Sequence, residues 1–215
     1  MPVIYLLRHA ESEANLNGVL AGRDNSVNLS AKGFKDARKV AKELNKLEFK
    51  SIYSSPITRC QQTIEPLIQG LKDKQVQFED ALIEMDYGSW SGKSLKQLSS
   101  KKEWSLIQNQ PADFTFPKGE SFVQMRKRLK DFLSSLVKED GPILLISHGD
   151  VIKMALTLAL DMPLNKFQNF TVAPASVSII NYSKDFKSVI STNNLIANQS
   201  LLKRGSQFIL GGGRG

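Results

Sequence analysis

The sequence predicts an α/β domain built on a mostly parallel central sheet with helices on both faces. Three observations carry this. Short strand-like apolar runs alternate with helical stretches along the chain, and two of the runs, residues 3–7 and 143–146, are apolar throughout, as buried strands are. The length, 215 residues, suits one domain with a short extension, placed here at 1–195 and 196–215.

Residues 3–7 form the first strand and end abruptly at Arg8-His9. Leu29-Ser30 opens a helix, with Ser30 as N-cap and one apolar stripe through Phe34, Ala37, Val40, Ala41, Leu44 and Leu47. Residues 51–54 are the second strand. Ser55-Pro56 predicts the next helix start, Ser as cap and Pro at the first helical position, where its missing N–H is harmless. Ile57, Cys60, Ile64 and Leu67 fall on that helix's inner face, which puts Cys60 in the core. A third strand is expected at 76–78. Residues 93–118 are polar and irregular, with Trp104, Phe114 and Phe116 among them, and read as a helix followed by a loop able to cover a site.

Phe122, Met125, Leu129, Phe132, Leu133 and Leu136 fall at helical spacing, leaving Arg126, Lys127, Arg128 and Lys130 on a solvated face. Ile143-Leu144-Leu145-Ile146 is the strongest buried-strand signal, followed by His148-Gly149 and an apolar helix over 150–160. Residues 176–182 and 187–192 read as closing strands joined by a turn around Ser183-Lys184-Asp185. The Gly-rich end reads as a mobile extension.

Composition removes several chemistries. The chain has two histidines, His9 and His148, and one cysteine. That is too few and too scattered for a structural zinc site, and a lone Cys60 fits a reducing compartment. The start lacks a basic n-region and cleavage site, and no apolar stretch approaches a membrane span. The expectation is a cytoplasmic protein with no membrane partner. Lys and Arg outnumber Asp and Glu by 29 to 21, and six of the eight excess charges lie in 101–215. Such a surplus attracts anions, yet no aromatic interleaving or nucleic-acid motif accompanies the basic helix, so no nucleic acid is expected.

Ligands of open α/β sheets bind at the carboxyl ends of the strands. Arg8 and His9 follow the first strand, Arg59 lies early in the helix after the second, and His148 follows the strand at 143–147. Both histidines therefore point to one edge, beside arginines. Guanidinium groups match phosphoryl oxygens, so this set binds a phosphoryl group without metal or cofactor. One neutral imidazole can attack phosphorus and the other can share a proton with a phosphoryl oxygen. A departing alcohol needs an acid, and Glu84, on the loop past the third strand, is the candidate; a nearby phosphate raises its pKa. A P-loop, a cysteine-phosphatase loop and a serine-hydrolase elbow are each missing.

Leu7-Arg8-His9-Ala10-Glu11-Ser12-Glu13-Ala14-Asn15 resembles the R-H-G-E-[ST]-x-x-N signature of the histidine phosphatase superfamily, the phosphoglycerate mutase-like family. The resemblance runs through most of 3–182. It includes Leu29-Ser30-Ala31-Lys32-Gly33, Ser54-Ser55-Pro56-Ile57-Thr58-Arg59, the Glu84 loop and Ser147-His148-Gly149. It implies a mostly parallel sheet flanked by helices. It also implies His9 as nucleophile, Arg8, Arg59, His148 and Gly149 around the phosphate, Asn15 behind them, and Glu84 as proton donor and then base. Ala10 stands where the signature has Gly.

Mutases of the family carry E-R-H-Y-G where this chain has Glu84-Met85-Asp86-Tyr87-Gly88, and a longer insert before the second histidine. Phe116-Pro117-Lys118-Gly119-Glu120-Ser121 resembles the F-P-G-G-E-S stretch of the phosphatase branch. The resemblance therefore implies a metal-independent phosphomonoesterase acting on a small phosphorylated substrate. A mutase-type phosphotransferase and an inactive phospho-ligand binder remain alternatives. Arg23, in the loop 16–27, is a candidate contact for a second anionic group or a solvated loop arginine; Trp90 and Trp104 are candidates for an apolar wall or for the core. The sequence is silent on oligomeric state, a homodimer included.

Overall fold

Ile4 and Leu6 of the first strand pack with one core cluster while Val3, Tyr5 and Leu7 pack with another. Ile143 and Leu145 divide from Leu144 and Ile146 in the same way. Alternate side chains of a strand leave on opposite faces, so a strand apolar at every position must be covered on both. A computed structural model, which describes residues 2–69 and 75–195, has this arrangement. The expectation of a mobile end at 196–215 lies outside the described residues.

The strands are β1 (Val3–Arg8), β2 (Ser51–Ser54), β3 (Val76–Phe78), β4 (Ile143–Ser147), β5 (Val177–Tyr182) and β6 (Lys187–Asn194). They form one sheet ordered β3-β2-β4-β1-β5-β6. The first four pair in parallel, and β5 is antiparallel to both β1 and β6. The helices are α1 (Glu13–Leu16), α2 (Ala31–Leu44), α3 (Thr58–Ile68), α4 (Leu95–Ser99), α5 (Glu103–Asn109), α6 (Phe122–Ser135) and α7 (Gly149–Ala159). Helices α2 and α3 cover the face of Leu7 and Leu144, while α6 and α7 cover the face of Leu6 and Leu145. Among the described residues no helix is long and apolar enough to cross a membrane.

Two expectations shift. The helix after β2 begins at Thr58, with Ile57 at the N-cap and no side-chain cap bond, so Pro56 precedes it. The Ser55 hydroxyl accepts from the Ile57 amide and pairs with His148, a long-range demand invisible in local sequence. The stretch 93–118 holds two short helices, α4 and α5, and buries Leu98, Ile107, Phe114 and Phe116.

Candidate active site

Strands β2, β4 and β1 are neighbours, and their register aligns Arg8 with Ser147 and Ser54 with Ile146. Backbone bonds continue past the strand ends, His9 N–H to Ser147 O at 2.9 Å and Ser55 N–H to Ile146 O at 2.9 Å. Three chain exits are thereby held side by side, and they carry Arg8-His9, Ser55 with the start of α3, and His148. The two imidazoles stand with ring centroids 5.2 Å apart.

Donor and acceptor types fix both tautomers. His9 Nδ1 lies 2.7 Å from the Ala10 carbonyl, which only accepts, so Nδ1 carries the proton and Nε2 the lone pair. Nε2 accepts from Arg59 Nε at 3.3 Å. His148 Nδ1 lies 3.0 Å from Arg59 Nη2, which only donates, so the His148 proton sits on Nε2, donated to Ser55 Oγ at 2.9 Å. Both rings are held well below the usual histidine pKa: His9 by burial and by Arg8 and Arg59, His148 by burial and by Arg59, His9 and Arg8. Neutral imidazole is the form in which nitrogen can attack.

A cavity of about 150 Å³ opens over this group, lined by Arg8, His9, Ser12, Asn15, Arg59, Glu84, Tyr87, Gly149 and Asp150 among others. Arg59 is 2% exposed, and its guanidinium also donates to the carbonyls of Gly22 and Asp24. Arg8 donates from Nη1 to Val172 O, while its buried Nε–H has no partner. A buried cationic donor without an acceptor is expensive, and an anion in the cavity would supply one. The start of α7 adds to this. His148 is its N-cap without a side-chain cap bond, so the positive end of the helix is left to the site.

Asn15 closes a capping box with Ser12, its Oδ1 accepting from Ser12 N–H at 3.1 Å, and lines the cavity from α1. A side chain at Gly149 would meet the Arg8 guanidinium carbon at 3.3 Å, so glycine there gives Arg8 its room. Ala10 is fully buried, and its N–H donates to Thr63 Oγ1 at 3.0 Å. The methyl group that departs from the signature fits against Leu29, Ala37 and Ala175. Gly33 meets a sharper limit, since a Cβ there would lie 2.0 Å from Glu11 O. This contact seats α2 directly against the His9 loop.

Glu84 is 8% exposed, and one of its oxygens accepts from Met85 N–H at 2.9 Å. Burial, reinforced by Asp150, pushes its pKa up to about 7, against the opposing pull of Arg59 and Arg8. Desolvation and a carboxylate of the chain itself already raise Glu84 in the protein alone, in the same direction as the expected effect of a phosphate. Tyr87 donates to Asp150 Oδ2 at 2.8 Å, and Lys153 stands 3.3 Å from Asp150 Oδ1.

The structure separates two of the sequence's candidates from the cavity wall. His148 is 0% exposed and does not line the cavity; it reaches it through Arg59. Arg23 donates to Glu84 O at 2.9 Å and Glu120 Oε2 at 3.1 Å and lies 3.8 Å from Asp86, so its charge is satisfied within the chain. Arg128 leaves the expected solvated face and donates to Glu120 Oε1 at 2.7 Å, Ala81 O at 2.6 Å and Glu84 O at 3.4 Å. Glu120 thus bridges two arginines that both hold the Glu84 carbonyl. No local pattern marks the pairing of Glu120 with Arg23 and Arg128, nor that of Tyr87 with Asp150. Cys60 is buried as expected, its thiol pushed up to about 12 by burial, which keeps it protonated at neutral pH.

Similarity to known proteins covers the same residues. The family description "Histidine phosphatase superfamily (branch 1)" matches residues 4–195. Phosphoserine phosphatase 1 of Hydrogenobacter thermophilus is 30% identical over 197 residues, 90% of this chain and 92% of its own. The 2,3-bisphosphoglycerate-dependent phosphoglycerate mutase of Thermoplasma acidophilum is 27% identical over 181 residues, 84% of this chain and 87% of its own. Among solved structures, a mutant phosphoserine phosphatase from Entamoeba histolytica in complex with phosphoserine matches with a TM-score of 0.80 at 25% identity, covering 91% of this chain and 98% of that one.

Proposed function

Because the chain belongs to the histidine phosphatase superfamily, we propose that it hydrolyses phosphomonoesters of small metabolites through a phosphohistidine on His9. The observation that carries this is the His9 tautomer: Nδ1–H is held by Ala10 O, so Nε2 carries the lone pair, shared in the empty site with Arg59 Nε–H, on a ring that lines the cavity beside Arg8 and Arg59. Arg8, Arg59, Asn15 and the start of α7 at Gly149 hold the phosphoryl oxygens. His148 acts from behind: its Nδ1 accepts from Arg59 Nη2 and orients that guanidinium toward the phosphoryl group.

His9 Nε2 attacks phosphorus as the bond from phosphorus to the alcohol oxygen breaks, and protonated Glu84 gives its proton to that oxygen. Glu84, now a carboxylate, takes a proton from water as the water attacks the phosphohistidine. The N–P bond breaks, inorganic phosphate forms and the Nε2 lone pair returns. A carboxyl with a pKa of about 7 is matched to giving and regaining a proton at neutral pH.

Hydrolysis is favoured over mutase-type transfer. Met85 is buried in the core and Asp86 faces Arg23, so neither supplies a second anion site where mutases place Arg-His. Two of the similar proteins are named for phosphoserine, which belongs in any substrate panel. We place the catalytic domain at 1–195 and the protein in the cytoplasm. The test is turnover of p-nitrophenyl phosphate in EDTA; absent turnover, or turnover lost on chelation, refutes metal-independent hydrolysis. Phosphate trapped on a residue other than His9 refutes the nucleophile.

A further inference from the structure

Beside the catalytic cavity lies a second chamber of about 380 Å³, and Leu20, Tyr87, Leu95 and Asp150 are walls of both. We propose that this chamber seats the leaving alcohol and that it selects an uncharged alcohol bearing a flat aromatic ring system. The proposal rests on the phosphomonoesterase reading and adds the substrate class.

Continuity places the chamber. An alcohol esterified to a phosphoryl group at His9 and next to Glu84 must extend from the smaller cavity, and this chamber is the space beside it, with four wall residues in common.

The walls set the chemistry. Trp90, Trp104 and Phe116 line the chamber. Trp90 is fixed edge-on to Phe116, with centroids 5.5 Å apart and planes at 80°, and leans on Phe114 at 5.8 Å. Rings held this way meet a planar guest without losing further freedom.

Charge narrows the class. Among the described residues that line the two spaces, the Lys and Arg cations are Arg8, Arg59 and Lys153. The first two surround the phosphoryl site. Lys153 lies 3.3 Å from Asp150, donates to Gln168 at 3.0 Å and sits 5.3 Å over the Phe167 ring. Asp150 in turn accepts the Tyr87 hydroxyl at 2.8 Å. A carboxylate or ammonium on the leaving group would lose hydration here and find the opposite charge already paired.

Size agrees. An apolar cavity of about 150 Å³ holds one benzene ring, so 380 Å³ has room for two fused rings with substituents. A seryl or glyceryl group would leave most of it to water.

The experiment compares primary-alcohol esters with similar leaving-group chemistry: 2-naphthylmethyl phosphate, ethyl phosphate and phosphoserine, with p-nitrophenyl phosphate as the reference for hydrolysis. The expected kcat/KM for the naphthylmethyl ester exceeds that for the other two by roughly 10²-fold. Trp104→Ala should lower the ratio of naphthylmethyl to ethyl ester about tenfold, and Trp104→Phe should restore most of it. Trp104 is only half-buried, which keeps the variant foldable. Equal turnover of the three esters, a preference for phosphoserine, or a ratio indifferent to Trp104 overturns the proposal while hydrolysis stands. Turnover of p-nitrophenyl phosphate without turnover of the naphthylmethyl ester overturns it too. No turnover of p-nitrophenyl phosphate removes the hydrolytic reading itself.

Discussion

Replacing Glu84 by Gln should make the protein more stable at alkaline pH while disabling it. Gln keeps the acceptor that receives Met85 N–H and nearly the same volume, but it cannot ionise. In the folded chain Glu84 holds its proton until about pH 7, against an ordinary value of 4.5. Below 4.5 the folded and unfolded chains are both protonated there, and the residue's contribution is fully present. As pH rises the unfolded chain ionises first, so stability is lost until the folded-state pKa is passed. At about 1.4 kcal/mol for each tenfold in proton affinity, the gap comes to about 3 kcal/mol by pH 8. Urea unfolding of wild type and Glu84→Gln from pH 4 to 8 reads this, because titrating groups that do not interact with Glu84 cancel in the difference. The variant should gain about 3 kcal/mol relative to wild type across that range. A difference independent of pH would refute the claim that Glu84 is buried at the expense of its charge. Asp150→Asn, which removes the second cause of the raised pKa, should shrink the pH-dependent difference. Turnover of Glu84→Gln should fall roughly 10²–10⁴-fold, least for substrates with good leaving groups.

If the proposed mechanism holds, the same carboxyl governs the pH–rate profile: kcat/KM should fall above about pH 7, and with His9 held neutral the acid limb should lie well below the ordinary histidine value. Gly149→Ala pushes a methyl to 3.3 Å from the Arg8 guanidinium carbon and should raise KM and the inhibition constant for inorganic phosphate, read by product inhibition. Glu120→Gln loosens the Arg23 and Arg128 clamp on the Glu84 carbonyl. It should lower kcat about tenfold and shift the alkaline limb, with KM little changed; a shift in KM alone would count against the clamp. Cys60 should resist iodoacetamide in the native protein at pH 8 and react only after unfolding, followed by mass spectrometry.

Much of the fold and site was legible because local physics and long-range geometry agree there. Two uniformly apolar runs read as strands covered on both faces, and Ser30 caps its helix where the sequence places it. Arg8, His9, Arg59 and His148 were found because residues at the carboxyl ends of parallel strands share an edge whatever the connecting helices do. Legibility failed wherever a side chain answers a partner distant in sequence. Ser55 looks like a helix cap but serves His148, 93 positions away. Arg128 occupies a helix position that reads as solvated, yet turns toward Ala81 and Glu84.

By itself, then, the sequence determined the layer architecture, the strand exits and the residue types that can handle a phosphoryl group. Periodicity and side-chain chemistry are properties of single segments. Only the tertiary structure decided which nitrogen of His9 bears the lone pair, how far Glu84's proton affinity rises, and that His148 stands behind Arg59. It alone decided that Tyr87 and Asp150 line both the cavity at His9 and a neighbouring aromatic chamber. Each of these depends on burial and on distances of a few ångströms between segments, and such quantities exist only once the chain has closed on itself.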